Sequence, residues 1–293
     1  MELLSLEAKM KKTELILNNV IKLQSMPKIL REILTYLNQS EVNNTKLSKM
    51  ILGDQSLATK ILTIANSPLF GLQRKVTTID FAVMVLGVAE IRSIVSSLSM
   101  MEVYKNKSDE YLDQVNFWEH SYLVGCTAKS ISEDLKLENS GEAFTAGFLH
   151  DLGLPVIHKY FHSAFVTIKG ETESKDNYTF MQGEYDNLGL SHYEIAYRLL
   201  DKWNLPPVLC ETVKFHHDPV RSENYKVLSA IVHLADYSTR QFEVGSFFWD
   251  KGLELKADAM ELLGFKNIEE AKEFINKYLE NAKAQIDSMR FLI

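Results

Sequence analysis

Apolar residues in this chain recur every three to four positions, segment after segment, and nowhere alternate strictly with polar ones. That spacing lines one stripe of a helix, whereas a half-buried strand needs a period of two. Thirteen glycines and six prolines in 293 residues are about half the usual density. No Asn-Gly or Asp-Gly pair is available for a tight hairpin. Pro27, Pro68, Pro155, Pro206, Pro207 and Pro219 fall between the periodic segments, where a fixed φ and a missing N–H suit helix starts and junctions. The pattern predicts an all-α fold.

In the first half, Ile29, Leu30, Ile33, Leu34 and Leu37 form one stripe, and Leu47, Met50 and Ile51 a second behind a Thr45 cap. Asp54 is positioned to cap a helix carrying Leu57, Ile61, Leu62 and Ile64 that ends near Asn66-Ser67-Pro68. An apolar run from Ile79 to Leu86 is closed by Gly87, and a longer helix follows through Ile91, Ile94, Val95 and Leu98. The polar stretch Lys105 to Asp113 marks a boundary, giving an N-terminal helical array over 1–110 and a bundle with a C-terminal helical extension over 111–293. The bundle begins with a long helix bearing Phe117, Trp118, Tyr122, Val124 and Ala128, then a short one from Ser140 to His150. Lys169 to Asn177 reads as loop. Ser191-x-x-Glu194 is a capping box that starts the next helix. Further helices follow Pro207, span Val227 to Phe242, and run from Ile268 to Met289.

Composition narrows the function classes. With 46% hydrophobic and 24% charged residues the chain has enough apolar surface to offset chain entropy, so it is globular rather than disordered. The apolar stretch Phe81 to Met101 is interrupted by Glu90 and Arg92, against the uninterrupted run of roughly 20 residues that a spanning helix needs. The N-terminus shows no secretory signal, so a cytoplasmic protein without a membrane partner is expected. Cys126 and Cys210 lie outside any Cys-x-x-Cys pair and read as reduced core thiols. A net charge of −7 lacks the field that neutralises phosphate backbones, so nucleic acid is not an expected partner. Phosphate-loop, dinucleotide and nucleophile-elbow motifs are absent from the sequence.

Histidine and aspartate carry the remaining signal. His150-Asp151 ends an apolar helix, His120 lies on the helix before it, His192 just inside the capped helix, His216-His217 at a helix end, and Asp236 on the helix after that. Imidazole and carboxylate are good ligands for first-row divalent metals. His120, His150, Asp151 and Asp236 could close one site, and His192, His216 and His217 a second, with Asp151 bridging in a two-metal arrangement. Spacing alone leaves this open, because a single histidine on an amphipathic helix is ordinarily a packed or hydrogen-bonded residue. His158 and His162 share a helical spacing, but Lys159 stands where H-E-x-x-H requires Glu, so the pair is read as unrelated to metal. His233 reads as a packing residue.

Several blocks in one order resemble the HDOD family, the HD-related output domain of bacterial signalling proteins. They are Met26-Pro27-Lys28-Ile29-Leu30; Asp54-x-Ser56-Leu57 running into Ala65-Asn66-Ser67-Pro68-Leu69-Phe70-Gly71; Thr78-Ile79-x-x-Ala82 with Leu86-Gly87; and Phe144-x-Ala146-Gly147-Phe148-Leu149-His150-Asp151-Leu152-Gly153. Gly189-x-x-His192, Trp203-x-Leu205-Pro206 and His216-His217 extend the likeness, which covers roughly residues 20 to 240. The resemblance implies a helical N-terminal part packed on a divergent HD-phosphohydrolase-like bundle. It also implies a stand-alone regulatory module acting through signalling protein partners, with Asp54, Asn66, Ser67 and Phe70 in the relaying array. The same resemblance carries the His…His-Asp…Asp pattern of the HD superfamily onto His120, His150, Asp151 and Asp236, and the extra histidines of two-metal relatives onto His192, His216 and His217. One or two ions of Fe, Mn, Zn or Ni are the cofactors it implies. Where HD-GYP cyclic-di-GMP phosphodiesterases have Gly-Tyr-Pro, this chain has Gly153-Leu154-Pro155. The absence of an evident Arg or Lys set beside the cluster favours the regulatory reading. The alternative is a metal-dependent phosphohydrolase or phosphodiesterase with a nucleotide or cyclic dinucleotide as ligand, and a metal that merely ties helices together is a variant of the first.

Overall fold

Caps and breaks written into the sequence set the order of helices. The computed structural model describes residues 5–23, 26–137, 140–241, 248–252 and 254–290, and among these no strand occurs. The first half comprises α1 (Leu6–Leu23), α2 (Lys28–Leu37), α3 (Asn44–Leu52), α4 (Gln55–Ala65) and α5 (Ile79–Tyr104). Asp54 caps α4 by accepting from the Leu57 N–H at 2.9 Å, as expected. The cap of α3 is Asn43 rather than Thr45: its side chain accepts from the Lys46 N–H at 3.0 Å, and Thr45 already lies inside the helix. Asn66 ends α4 and turns its amide onto Val76, donating to the carbonyl and accepting from the N–H, each at 2.8 Å. It therefore locks the connection to α5.

Residues Ile79–Tyr104 form the one described helix long and apolar enough to cross a membrane, yet its packing is that of a core helix. Gly87, at φ 79 and ψ 166, breaks it in a region open essentially to glycine. Beyond the break, Ile91, Ile94, Val95 and Leu98 are buried between α2, α3 and α4 on one side and the second half on the other. The two interrupting charges are used inward: Arg92 donates to the Leu37 carbonyl, and Glu90 pairs with the buried Lys129 at 2.6 Å.

The second half runs through α6 (Gln114–Asp134), α7 (Ser140–Leu149), α8 (Gly153–Tyr160), α9 (His162–Ser174), α10 (Phe180–Leu188), α11 (His192–Lys202), α12 (Pro207–Phe215), α13 (Lys226–Gln241), α14 (Ala257–Leu262), α15 (Ile268–Ile275) and α16 (Leu279–Met289). The expected loop from Lys169 is helical as far as Ser174, because Ile168 and Thr172 sit one turn apart on a buried face beneath a polar exterior. The expected single C-terminal helix is broken by a 3-10 turn at Asn276–Tyr278. Phe242, the expected end of α13, lies outside the described residues. α6 is central: it is buried on nearly every side from Phe117 to Ala128, with α7, α13 and α16 packed against it. The Cys126 and Cys210 thiols are buried and unbridged. The main apolar core runs from Leu17 through Leu98, Met101, Phe117 and Trp118 to Met289, and a second, with Val124, Ile131, Ile231 and Met260, packs α6 against α13 and α14.

Candidate metal centre

α6 points His120 into the interior, and the turn between α7 and α8 delivers His150 and Asp151 to the same place: the two Nε2 atoms lie 3.3 Å apart. α13 adds Asp236, whose Oδ1 is 3.5 Å from His120 Nε2 and 3.6 Å from His150 Nε2. The capping box at Ser191 and Glu194 starts α11 so that His192 occupies its first turn, with Nε2 3.2 Å from Asp151 Oδ1. The start of α8 abuts this point. A Cβ on Gly153 would fall 2.0 Å from the His192 carbonyl oxygen, so only glycine admits the approach of the two helices. At the end of α12, His216 Nε2 lies 3.7 Å from Asp151 Oδ1, and His217 Nε2 is 3.1 Å from His192 Nε2.

All seven residues singled out in the sequence are thus brought to one focus. Asp151 stands at its middle, Oδ1 turned to His192 and His216, and Oδ2 3.2 Å from His150 and 3.8 Å from His120. His158 and His162 stand elsewhere, and on two helices rather than one face. Each Nε2 lies 2.9 Å from Asp109 Oδ2, in the segment preceding α6. His233 is buried and its Nε2 accepts from the Lys256 N–H, a packing role as expected.

Orienting partners fix the rings. Nδ1 of His150 donates to the Gly147 carbonyl, and Nδ1 of His216 to the Val213 carbonyl, each at 2.7 Å. His192 Nδ1 faces both oxygens of buried Glu184 at 3.0 and 2.9 Å, and Glu184 also accepts the His192 backbone N–H. The Thr239 hydroxyl donates to the Asp236 carbonyl and stands 3.3 Å from His120 Nδ1. Nδ1 tied outward and Nε2 free inward is the arrangement that metal-binding imidazoles use. Trp249 Nε1–H donates to Asp151 Oδ2 at 2.8 Å. Glu184, Thr239 and Trp249 escape a reading of the sequence because no spacing ties them to the histidines.

Burial and charge divide the titrating groups. Burial lowers His120 to about 4 with the help of His150, and His216 to about 3 likewise. Burial also acts downward on His150, but Asp151 and Asp236 outweigh it and hold that ring well above its ordinary value. Glu184 and Asp151 do the same for His192. Burial would raise Asp151; His150 and His192 instead hold it well below the usual carboxylate range. Asp151 Oδ1, both Asp236 oxygens and His216 Nε2 are nevertheless buried without a hydrogen-bond partner. Orphaned lone pairs on imidazole and carboxylate fit a divalent transition metal.

The centre opens to solvent on one side, through a cleft of about 350 Å³ lined by His192, His217, Trp249, Lys251 and Lys256 among others. The sequence shows no cations beside the cluster; folding places these two lysines there.

Comparison with known proteins agrees with this architecture. The HDOD domain family model matches residues 23–219. The chain superposes on an HDOD domain protein of unknown function from Geobacter sulfurreducens with a TM-score of 0.77 and 24% identity, covering 97% of this chain and 98% of the other. A Shewanella amazonensis SB2B protein provisionally named a phosphohydrolase superposes with a TM-score of 0.74 and 24% identity, covering 94% and 97%. An uncharacterised protein of Treponema pallidum (strain Nichols) is 25% identical over 231 residues, which are 77% of this chain and 44% of the relative, so this chain spans less than half of that protein's length.

Proposed function

Because this chain belongs to the HDOD domain family, we propose that it is a signalling module of that family built round a divalent-metal centre, and that the centre hydrolyses a phosphoester. One observation carries the reading: five histidines and two aspartates from separate helices turn their ligand atoms into adjoining groups that share Asp151, with four of the five imidazoles held from behind.

His120, His150, Asp151 and Asp236, with His192, His216 and His217, would hold a divalent ion, which would supply Lewis acidity and lower the pKa of water toward about 7. The chain's own groups do the rest. Asp151 offers an oxygen to each imidazole set, and the Trp249 indole N–H fixes its plane. Lys251 and Lys256 line the cleft and place positive charge where an anionic phosphate approaches. Lys256 itself is oriented by Asp218 at 2.9 Å. The name of the Shewanella neighbour points to the same chemistry. Gly153-Leu154-Pro155 in place of Gly-Tyr-Pro turns the proposal toward phosphoesters other than cyclic-di-GMP.

A second reading, in which the metal ties helices and output passes through protein partners, draws on the complete burial of His120, His150 and Asp236. Elemental analysis of the full chain purified without a histidine tag, followed by assays on bis(p-nitrophenyl) phosphate, nucleotides and cyclic dinucleotides, separates the two. The expected result is at least one equivalent of Fe, Mn, Zn or Ni and turnover that Asp151→Asn abolishes. Metal-replete protein inert on every substrate sinks the hydrolase reading and leaves the second.

A further inference from the structure

Away from the Asp151 centre, Asp109, His158 and His162 bring unlike metal ligands together a second time. Lys159 excludes the H-E-x-x-H arrangement for the two histidines, but the fold supplies a third ligand from a different part of the chain. α8 ends at Phe161, whose φ of −128 and ψ of 38 turn the backbone. His158 in the last turn of α8 and His162 at the start of α9 thereby bring their rings to 5.3 Å between centroids. The segment joining the two halves lays Asp109 against both. Its Oδ1 accepts the Tyr111 and Leu112 backbone N–H groups at 2.8 and 3.0 Å, which fixes the carboxylate and leaves Oδ2 facing the rings, 2.9 Å from each Nε2. Lys169 of α9 donates to the Glu110 and Tyr111 carbonyls, each at 3.2 Å, and holds the segment there.

The three ligand atoms lie within 4.8 Å of one another, each from a separate element. Ligands bound at about 2.0–2.2 Å to a tetrahedral zinc stand roughly 3.3 Å from one another, so a slight opening turns the present contacts into a coordination shell. His158 is buried, while the His162 and Asp109 side chains are 49% and 34% exposed, which leaves water to complete that shell. We propose that Asp109, His158 and His162 form a separate zinc site, a clip that fastens the connecting segment to α8 and α9. Two imidazoles with one carboxylate are a borderline donor set suited to Zn²⁺ rather than to Mg²⁺ or Ca²⁺, which take oxygen ligands. The clip shares no ligand with the Asp151 centre and does not rest on the function read from it.

Zn²⁺ is to be located and counted in the full chain. Crystals grown with Zn²⁺ should show a zinc-edge anomalous peak bounded by Asp109 Oδ2 and the two Nε2 atoms. After stripping with a chelator and dialysis against micromolar Zn²⁺, the wild type should retain one equivalent more than His162→Ala or Asp109→Asn, and His162→Cys should restore it. Equal counts in the wild type and these variants, or a peak only at the Asp151 centre, overturn the clip and leave that centre untouched. A peak at the clip with none at the Asp151 centre supports the clip and overturns the metal reading of the centre. Zn²⁺ that enters only at millimolar concentration is an adventitious ion on a hydrogen-bonded turn, and overturns the clip as well. The wild-type map decides the matter even if a variant fails to fold.

Discussion

At the scale of single residues, the centre combines imidazoles of opposite character. Burial lowers His120 and His216, whereas the carboxylates beside them hold His150 and His192 well above the ordinary imidazole value and so favour their protonated forms in the metal-free chain. A metal ligand must be unprotonated, so loading has to expel those protons. Apparent metal affinity should therefore climb as pH rises through the raised range of these two rings, with a net release of protons on loading. Calorimetric titration in buffers of different ionisation enthalpy measures this directly, and proton release near zero would contradict the assignment. The dipeptides His150-Asp151 and His216-His217 were legible because two ligand side chains stand side by side at helix ends. Glu184 and Trp249 were not, because each reaches the centre through a helix crossing or a loop path that local spacing does not encode; Thr239 lies one turn after Asp236 on α13, but a threonine there carries no metal-ligand signal.

At the scale of elements, side-chain caps were the readable signals. Asp54 and the Ser191–Glu194 box start α4 and α11 as the residues demand. Misreadings arose where neighbouring residues offered equivalent chemistry, as with Thr45 and Asn43, or where a polar exterior hid a buried face, as in α9. The junction of α8 and α11 is the sharpest constraint. Gly153→Ala places a methyl group against a main-chain carbonyl, which cannot swing aside like a flexible side chain, and should cost about 1–3 kcal/mol or more. Gly170→Ala, in exposed α9 with nothing within 4 Å of the new Cβ, should instead stabilise by about 0.5–1 kcal/mol. Denaturant unfolding of the two variants checks the contrast; a neutral Gly153→Ala would mean that the helices do not meet this closely.

At the scale of the whole molecule, the helical class follows from periodicity and scarce turn residues, but the connection between the halves does not. α1 packs on α10 and α11, far along the chain: Thr13 donates to the Leu188 carbonyl at 2.8 Å, and Glu14 pairs with Arg198 at 2.9 Å. No local pattern announces such a return. With the main core crossing between the halves from Leu98 to Trp118 and α6 contributing to the second core as well, unfolding should follow a single transition whose midpoint depends on metal. Metal at a hundred times its Kd adds about 2.7 kcal/mol per independent site, on the order of 5 °C for a chain of this size. Calorimetry with and without a chelator tests this; two separate transitions, or a midpoint indifferent to metal, would count against it.

Asp151 gives one oxygen to each set of imidazoles. A side chain shared in this way cannot rotate toward one set without deserting the other. Filling of one compartment therefore fixes the carboxylate that the other needs, and the affinity for a second ion should differ from that for the first.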